Sequence, residues 1–286
     1  MLSVKLAKNI GFCSGVRRAV DIVEETLCKS KGKVYSLGPV IHNFEVIKRL
    51  KEKNLCIVNS LDNLKDSSVL ILPSHGTPRR ILNSARKKNL RLVDVTCPNV
   101  SLVQKTCDML HRQGMEVVII GDRKHPEIRA LLDLAPKALT IEKIKDVKEN
   151  IFSHKRIGII SQTTQARSIL FGVVNSILQK NPFVKEVHVY NTICLDTVRR
   201  QDEVKKLSRA VDALLVVGSR RSANTKRLLS IGRAINKRTY LVENERANLG
   251  KIIKKADKVG LISGASTPQW LVKNIVKKIK DAKKWR

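Results

Sequence analysis

The chain alternates short apolar runs with segments in which apolar residues recur every three or four positions. The runs KVYSLG, EVVIIG and ALLVVG are each about the length of a strand and end in glycine. Between such runs lie amphipathic helix patterns, of which Val100, Val103, Cys107 and Leu110 form the clearest. Strands that are apolar throughout and alternate with helices are typical of parallel sheets covered on both faces. We therefore predict an α/β fold with mainly parallel sheets.

The same pattern occurs three times along the chain. The segments KNIGFCSGV, VDVTCPNV and YNTICLDTV each place a cysteine between an extended run and a helix pattern, and the cysteines are Cys13, Cys97 and Cys194. The glycine that ends the next apolar run lies 25, 24 and 24 residues after its cysteine. We expect three small pseudo-symmetric α/β domains, one for each cysteine, spanning residues 1–93, 94–185 and 186–286, the last ending in a C-terminal helix.

Polar residues follow the strands of each repeat at matching places. Four positions after the repeat glycines Gly38, Gly121 and Gly218 stand His42, His125 and Ser222, and a later strand of each repeat ends near Ser74, Ser161 and Ser263, which we predict to be equivalent. Ligands of parallel α/β sheets bind at the carboxyl ends of the strands. Three repeats around a pseudo-threefold axis would direct these ends toward one central point.

The three cysteines at the repeat junctions suggest a metal centre. A thiol at a helix N-terminus is favoured in its ionised form, which is the form that binds metals. Structural zinc takes four ligands at short spacings, whereas these cysteines are three in number and 84 and 97 residues apart. Thiolates also hold iron–sulfur clusters, and a cubane with three cysteines leaves one iron without a protein ligand. Cys28, Cys56 and Cys107 lie in helix or strand patterns instead, and we expect them in the core.

Further polar side chains at the predicted strand ends suit a phosphorylated substrate. Imidazole, hydroxyl and amide groups can bind a phosphate or diphosphate, and those at the strand ends are His42, His75, His125, Ser222, Asn224 and Ser266. Glu127, beside His125, is the candidate proton donor. Thr163 and Thr164 could hydrogen-bond a substrate hydroxyl.

The charge of the chain is high but weakly informative. Lys and Arg number 56 against 25 Asp and Glu, a formal charge of +31 that would attract nucleic acid or a small diphosphate. The basic residues are mostly lysines scattered over helix patterns, with three Tyr and five Phe available for stacking on bases. We favour a solvated, lysine-rich surface over a nucleic-acid-binding face. No run is long and apolar enough for a membrane span or a signal peptide, so we expect a cytoplasmic protein.

Taken together, these elements resemble 4-hydroxy-3-methylbut-2-enyl diphosphate reductases, the last enzymes of the methylerythritol phosphate route to isoprenoids. The resemblance covers essentially the whole chain and rests on GFCSGVRRA, SHG, TCP, HPE, QTT, TIC, RRQ, GSRRSAN and GASTP. It implies reductive dehydroxylation of (E)-4-hydroxy-3-methylbut-2-enyl diphosphate to isopentenyl and dimethylallyl diphosphate. Ferredoxin or a flavodoxin-type protein would supply the electrons.

The resemblance also implies roles for individual residues. Cys13, Cys97 and Cys194 would hold a 4Fe-4S cluster. Glu127 would supply protons with the help of Thr163. The remaining positions would contact the substrate, chiefly its diphosphate, and these are His42, His75, His125, Thr164, Ser222, Asn224 and Ser266.

Two positions depart from the family pattern, and two other functions stay open. Asp122 stands where the family commonly has a histidine, and Ala223 where a serine is common. Quinolinate synthase also arranges three pseudo-symmetric domains and three cysteines around one cluster, although the HPE, QTT and GASTP segments argue against it. A basic nucleic-acid-binding protein is the alternative from a different functional class.

Overall fold

Three four-stranded sheets, all parallel, form the framework of the chain. A computed structural model describes residues 3–254 and 256–282. The sheets have strand orders β11-β10-β12-β1, β3-β2-β4-β5 and β7-β6-β8-β9. Every strand pair among the described residues is parallel, so the predicted α/β class with parallel sheets is confirmed.

The strands and helices alternate along the chain as the apolar pattern predicts. The strands are β1 (Ser3–Leu6), β2 (Val34–Leu37), β3 (Leu55–Val58), β4 (Val69–Leu72), β5 (Arg91–Asp94), β6 (Glu116–Ile120), β7 (Leu139–Ile141), β8 (Arg156–Ser161), β9 (Glu186–Val189), β10 (Ala213–Val217), β11 (Thr239–Val242) and β12 (Lys258–Ser263). The helices are α1 (Ser14–Lys29), α2 (Phe44–Glu52), α3 (Arg79–Lys87), α4 (Pro98–Arg112), α5 (Pro126–Leu134), α6 (Arg167–Lys180), α7 (Leu195–Arg209), α8 (Ala223–Ile235), α9 (Leu249–Ile253) and α10 (Gln269–Ala282).

All three sheets share one topology, and one of them is completed by the beginning of the chain. In each sheet the fourth strand, β5, β9 or β1, leads into the cysteine of the following repeat. Thus β1 pairs with β12 of the last repeat, and β9 pairs with β8 of the second. The domain bounds 1–93, 94–185 and 186–286 stay a prediction, and the pairing adds that β9 and β1 each complete the sheet of another predicted domain.

The register of the sheets corrects one predicted equivalence. Ile120 pairs with Ser161 and Val217 with Ser263, whereas Ser36, one residue before the corresponding Leu37, pairs with Ile71. Leu72 therefore matches Ser161 and Ser263, and Ser74 lies two residues beyond the strand. The prediction that Ser74 is equivalent to the other two serines was wrong: Ser74 corresponds to Thr163 and Ala265, whose carbonyls accept the same hydrogen bond from a cysteine N–H.

The chain divides into two compact units. The first comprises the described residues up to Arg17, residues 41–52 and the described residues from Leu195 onward, and the second comprises residues 18–40 and 53–194. In the first unit the successive residues Leu214 and Leu215 belong to different apolar clusters. Successive strand residues point to opposite faces, so both faces of this sheet are covered, as expected for a parallel sheet.

The cysteines outside the repeat junctions differ from one another in burial. Cys107 is fully buried in a cluster with Val103, Leu110 and Ile160. Cys56 is half-buried, and Cys28 is exposed. The prediction of a core position was wrong for Cys28, because this residue is next to the buried Leu27 on α1 and successive helical residues are about 100° apart.

Candidate functional site

Each repeat-junction cysteine stands immediately before a helix. Cys13, Cys97 and Cys194 directly precede α1, α4 and α7. Their backbone N–H groups donate to carbonyl oxygens in the loops after β12, β4 and β8, with N···O distances of 3.0 Å to Ala265, 2.9 Å to Ser74 and 2.9 Å to Thr163. The three cysteines therefore share one local arrangement, as the repeat predicts.

The sulfur atoms of Cys13 and Cys194 accept hydrogen bonds. All three repeat-junction cysteines are half-buried. Cys13 Sγ accepts a hydrogen bond from the backbone N–H of Val16 at 3.4 Å, and Cys194 Sγ accepts one from Asn99 Nδ2 at 3.3 Å. Donors of this kind and the helix N-terminus both stabilise negative charge on sulfur. In Cys107, by contrast, burial raises the thiol pKa to about 12.

A buried carboxylate and a threonine form the polar centre of the second unit. Glu127 lies in the first turn of α5 and is 2% exposed. Its two carboxylate oxygens each accept a hydrogen bond from Thr163, one from the backbone N–H and one from Oγ1, both at 2.7 Å. The Thr163 carbonyl accepts the hydrogen bond from Cys194. Within this unit, then, the carboxylate, the threonine and a cysteine backbone form one connected group.

The pKa of Glu127 is set by opposing effects. Burial raises the pKa of the carboxyl to about 7, and the two hydrogen bonds from Thr163 oppose the rise. Burial prevails because ionisation of a carboxyl away from solvent costs more than two hydrogen bonds return. Near neutral pH the group is thus divided between its acid and its base, which suits a proton donor.

Of the predicted substrate residues of the second unit, His125 and Thr164 adjoin this centre, and His75 belongs to the loop after β4. His125 caps α5, since its Nδ1 accepts a hydrogen bond from the Glu127 N–H at 3.2 Å. Thr164 Oγ1 accepts a hydrogen bond from Gln162 Nε2 at 3.0 Å. The half-buried His75 directly follows Ser74, whose carbonyl accepts from Cys97. The first unit contains the other predicted substrate residues.

Those residues surround the N-terminus of α8 and the loop before α2. Ser222 caps α8 by accepting a hydrogen bond from the Thr225 N–H at 3.3 Å, and Ser266 Oγ donates to the His42 carbonyl at 3.3 Å. The adjacent Ala265 accepts from Cys13. Ser222 and His125 each lie four residues after a repeat glycine and directly before a helix. His42 also lies four residues after its glycine, but one further residue separates it from α2.

His42 lies in a positively charged environment. Burial lowers the pKa of its imidazole, and the nearby charges of Lys226 and Arg221 lower it further. A neutral imidazole offers one donor and one acceptor nitrogen. The same positive charges would attract an anionic ligand to this region of the first unit.

Asn224 is a buried polar residue in the first turn of α8. It is 3% exposed, and neither Nδ2 nor Oδ1 has a hydrogen-bond partner among the described residues. Leaving a buried polar group unmatched costs roughly 1–3 kcal/mol. An amide in this state at a helix N-terminus is suited to a ligand that supplies both an acceptor and a donor, such as a diphosphate with its bound water or proton.

Two residues near the site are absent from the set predicted from the sequence. Asn99 contacts Cys194 from the first turn of α4, and its position two residues after Cys97 in TCPN was the available signal. Gln162 orders the loop before Thr163, where its Oε1 accepts from the Asp122 N–H at 3.1 Å. Asp122 itself is exposed and accepts from the Lys124 N–H through Oδ1 at 2.8 Å. Ala223 is the first residue of α8.

The side chains of the three repeat-junction cysteines have the donor chemistry that iron–sulfur clusters use. The part of the chain that the structure describes contains no group of three His, Cys, Asp or Glu side chains arranged around one ion. Each of the three cysteines directly precedes a helix, and thiolates are the ligand type that such clusters require.

Fold and site together define a class: α/β proteins of three parallel sheets with a cysteine and polar side chains at equivalent strand ends. The family model of the LytB protein matches residues 4–280. A 4-hydroxy-3-methylbut-2-enyl diphosphate reductase of Aquifex aeolicus is 38% identical, with 98% of this chain and 97% of that one covered. The corresponding enzyme of Clostridioides difficile is 33% identical, with 96% of this chain and 98% of that one covered. The chain belongs to the LytB family.

Solved structures agree with this assignment. A structure titled as (E)-4-hydroxy-3-methyl-but-2-enyl diphosphate reductase, the terminal enzyme of the non-mevalonate pathway, shares 37% identity and a TM-score of 0.70, with 98% of this chain and 100% of that chain covered. The Plasmodium falciparum reductase structure shares 30% identity and a TM-score of 0.89 over 96% of this chain and 87% of that one. Membership of the LytB family also decides against the quinolinate synthase alternative.

Proposed function

We propose that this protein reduces (E)-4-hydroxy-3-methylbut-2-enyl diphosphate to isopentenyl and dimethylallyl diphosphate, the last step of the methylerythritol phosphate pathway. The match to the LytB family over residues 4–280 and the names of its relatives support the reaction. The observation that carries the proposal is the buried Glu127–Thr163 pair, joined through the Thr163 carbonyl to Cys194. Such a pair can deliver protons beside a thiolate-bound redox centre.

Cys13, Cys97 and Cys194 are the proposed ligands of a 4Fe-4S cluster. When bound, the cluster supplies electrons one at a time and an iron that acts as a Lewis acid toward the substrate. The proposal is supported by the shared position of the three cysteines before helices, and by the hydrogen-bond donors at Cys13 Sγ and Cys194 Sγ.

Glu127 and Thr163 are the proposed proton-delivery residues. The reaction breaks the carbon–oxygen bond of the allylic alcohol, consumes two electrons and two protons, and releases water. Protonation of the allylic fragment at one or the other end gives the two isomeric products. A hydroxyl both donates and accepts, so Thr163 Oγ1 can pass a proton from the neutral Glu127 carboxyl toward the substrate. Thr164 is a proposed further substrate contact.

The diphosphate is the proposed ligand of the histidines and of the polar residues near α8. Asn224 supports this most strongly, because its buried amide lacks a partner among the described residues. The positive charges near His42 and the helix N-terminus at Ser222 add favourable electrostatics. The full proposed set is His42, His75, His125, Ser222, Asn224 and Ser266.

Ferredoxin or a flavodoxin-type protein is the proposed electron donor, and the cytoplasm the proposed location. No helix in the described part of the chain is long and apolar enough to cross a membrane. The charge of +31 belongs, in this proposal, to a solvated surface that assists the approach of anionic partners and not to a nucleic-acid-binding face.

An anaerobic assay tests the function directly. Purified protein is supplied with reduced ferredoxin or a dithionite-reduced mediator and the hydroxylated diphosphate, and both isomeric products are measured. Turnover to these products is expected. A colourless, iron-free protein from anaerobic purification that binds RNA in a salt-dependent way would instead favour the nucleic-acid alternative.

Cysteine variants test the proposed ligands. We expect Cys13→Ser, Cys97→Ser and Cys194→Ser each to lose the cluster, measured as iron and sulfide per chain and by the visible spectrum. Cys28→Ser and Cys107→Ser are the matched controls and should retain it. Equal iron loss in all five variants would refute the assignment.

A further inference from the structure

We infer that Arg200 is a positioning residue for Cys13, because its buried guanidinium holds the loop that carries this cysteine. The inference rests on the proposed function, in which Cys13 binds the cluster. Arg200 lies in the second turn of α7 and is 2% exposed. It is among the largest fully buried side chains of the described residues, which is unusual for arginine.

The contacts of Arg200 converge on the loop between β1 and Cys13. Nη1 donates to the carbonyl oxygens of Asn9 at 2.8 Å and Ser263 at 2.9 Å, and Nη2 donates to that of Gly11 at 3.0 Å. Nε donates to Asp196 Oδ2 at 2.7 Å. All three nitrogens of the guanidinium are therefore used, and two of its carbonyl partners lie within four residues of Cys13.

The loop needs such support because its backbone forms no regular structure. After β1 ends at Leu6, six residues precede Cys13. Gly11 has φ +88, a left-handed conformation that favours glycine. Its N–H donates to Ser263 Oγ at 2.9 Å while its carbonyl accepts from Arg200. The peptide groups on both sides of Gly11 are thereby fixed.

A second residue of α7 holds the beginning of the same loop. Both carboxylate oxygens of Glu203 accept hydrogen bonds from Asn9, one from its N–H at 3.0 Å and one from Nδ2 at 2.9 Å. Glu203 and Arg200 are three positions apart and therefore lie on the same side of the helix. Glu203 is half-buried, so its removal disturbs the fold less than removal of Arg200.

Arginine is suited to this role for a chemical reason. The guanidinium is always charged and presents five donors in a rigid plane, so it can bind several carbonyl oxygens at fixed directions. A lysine offers a single ammonium and would reach fewer of them. We therefore expect Arg200→Lys to keep part of the function of Arg200, and Arg200→Gln to keep little.

The test compares four variants with the wild type: Arg200→Gln, Arg200→Lys, Glu203→Ala and the control Asn236→Ala. Asn236 also fixes a loop of the first unit through two carbonyls, those of Ser208 at 3.3 Å and Val211 at 2.9 Å, but this loop carries no cysteine. Backbone amide hydrogen exchange of residues 9–13 is measured on the apoprotein. Iron retention against a chelator and the electron paramagnetic resonance spectrum of the reduced cluster are measured on the anaerobically loaded protein.

We expect Arg200→Gln to exchange faster at residues 9–13, to alter the resonance spectrum and to hold the cluster about 10-fold more weakly or worse, the range known for groups that orient metal ligands. Glu203→Ala should show the same changes at smaller size, and Arg200→Lys should lie between Arg200→Gln and the wild type. Asn236→Ala should lose stability without these changes.

Two results would overturn the inference. One is unchanged exchange, retention and spectrum in Arg200→Gln; the other is an equal effect in Asn236→Ala. If Arg200→Gln does not fold, Glu203→Ala decides by the same criteria. Failure of the wild type to bind iron would refute the proposed function. The exchange measurement needs no cluster, so it tests the contact of Arg200 with the loop before Cys13 separately.

Discussion

Glu127 and Asn224 are two buried polar side chains in corresponding positions, each in the first turn of the helix that follows a repeat glycine. Their exposed fractions are almost equal, 2% and 3%. Glu127 receives two hydrogen bonds from Thr163, whereas Asn224 has no partner for either amide atom among the described residues. Equivalent positions in the repeat thus hold one side chain whose hydrogen-bonding atoms have partners and one whose atoms have none among the described residues.

The difference separates two tasks. A group that must change its protonation state is best held by the protein itself, since its pKa then depends on fixed neighbours. A group that must bind substrate gains affinity if its polar atoms are unmatched beforehand, because binding then removes a cost of roughly 1–3 kcal/mol. Glu127 fits the first description and Asn224 the second.

The largest effect is expected from Glu127→Gln. The amide keeps the size and can still accept one hydrogen bond from Thr163, but it has no carboxyl proton to release. We expect kcat to fall by about 100- to 10,000-fold, the usual contribution of a general acid, with little change in substrate affinity. Steady-state kinetics of the cluster-loaded enzyme provide the measurement. Full activity in this variant would remove Glu127 from the mechanism.

Asn224→Ala should affect substrate binding more than turnover. The lost contacts go to a charged ligand, so KM should rise by about 10- to 100-fold. Asn236→Ala is the matched control, because its amide is hydrogen-bonded in the folded protein. It should reduce the free energy of unfolding and leave KM unchanged. Asn224→Ala should instead raise KM and increase the free energy of unfolding. An unchanged KM in Asn224→Ala would contradict the proposed diphosphate contact.

Most of the fold could be predicted from the sequence, because the apolar runs and the three cysteine junctions repeat at nearly equal spacing. The exchange of β1 into the last sheet could not, since parallel pairing of distant strands leaves no local pattern. The position of Ser74 was misjudged because residue type alone does not show where a strand ends, and Ser74 lies two residues beyond the end of β4. For the site, residue types pointed to Glu127 and Thr163, but the hydrogen bonds that join them depend on packing.

The buried carboxyl should also make stability depend on pH. Burial raises the pKa of Glu127 to about 7 in the folded chain, above the ordinary value of 4.5. The folded form therefore keeps a proton that the unfolded form has lost, and stability falls as the pH rises from about 4.5 to 7. Relative to Glu127→Gln, the wild type should lose about 3 kcal/mol of unfolding free energy across this window. Urea unfolding of both apoproteins at several pH values measures the difference.

A constant difference between these two proteins across the pH range would show that Glu127 titrates as an ordinary carboxyl. The corresponding Asn224 variant gives the contrast, because an amide does not titrate. Its stability relative to the wild type should be the same at every pH.

The smallest effect on stability is expected from Thr163→Val, which removes one of the two hydrogen bonds to Glu127 while preserving the shape of the side chain. The backbone N–H of residue 163 still donates to Glu127, so the carboxyl keeps its position. The lost hydroxyl stabilised the ionised carboxyl, and the pKa of Glu127 should therefore rise further. In the unfolding experiment the decline in stability should extend to correspondingly higher pH. Thr163→Ser keeps the hydroxyl and should titrate like the wild type, so identical curves for the valine and serine variants would contradict the assigned hydrogen bond.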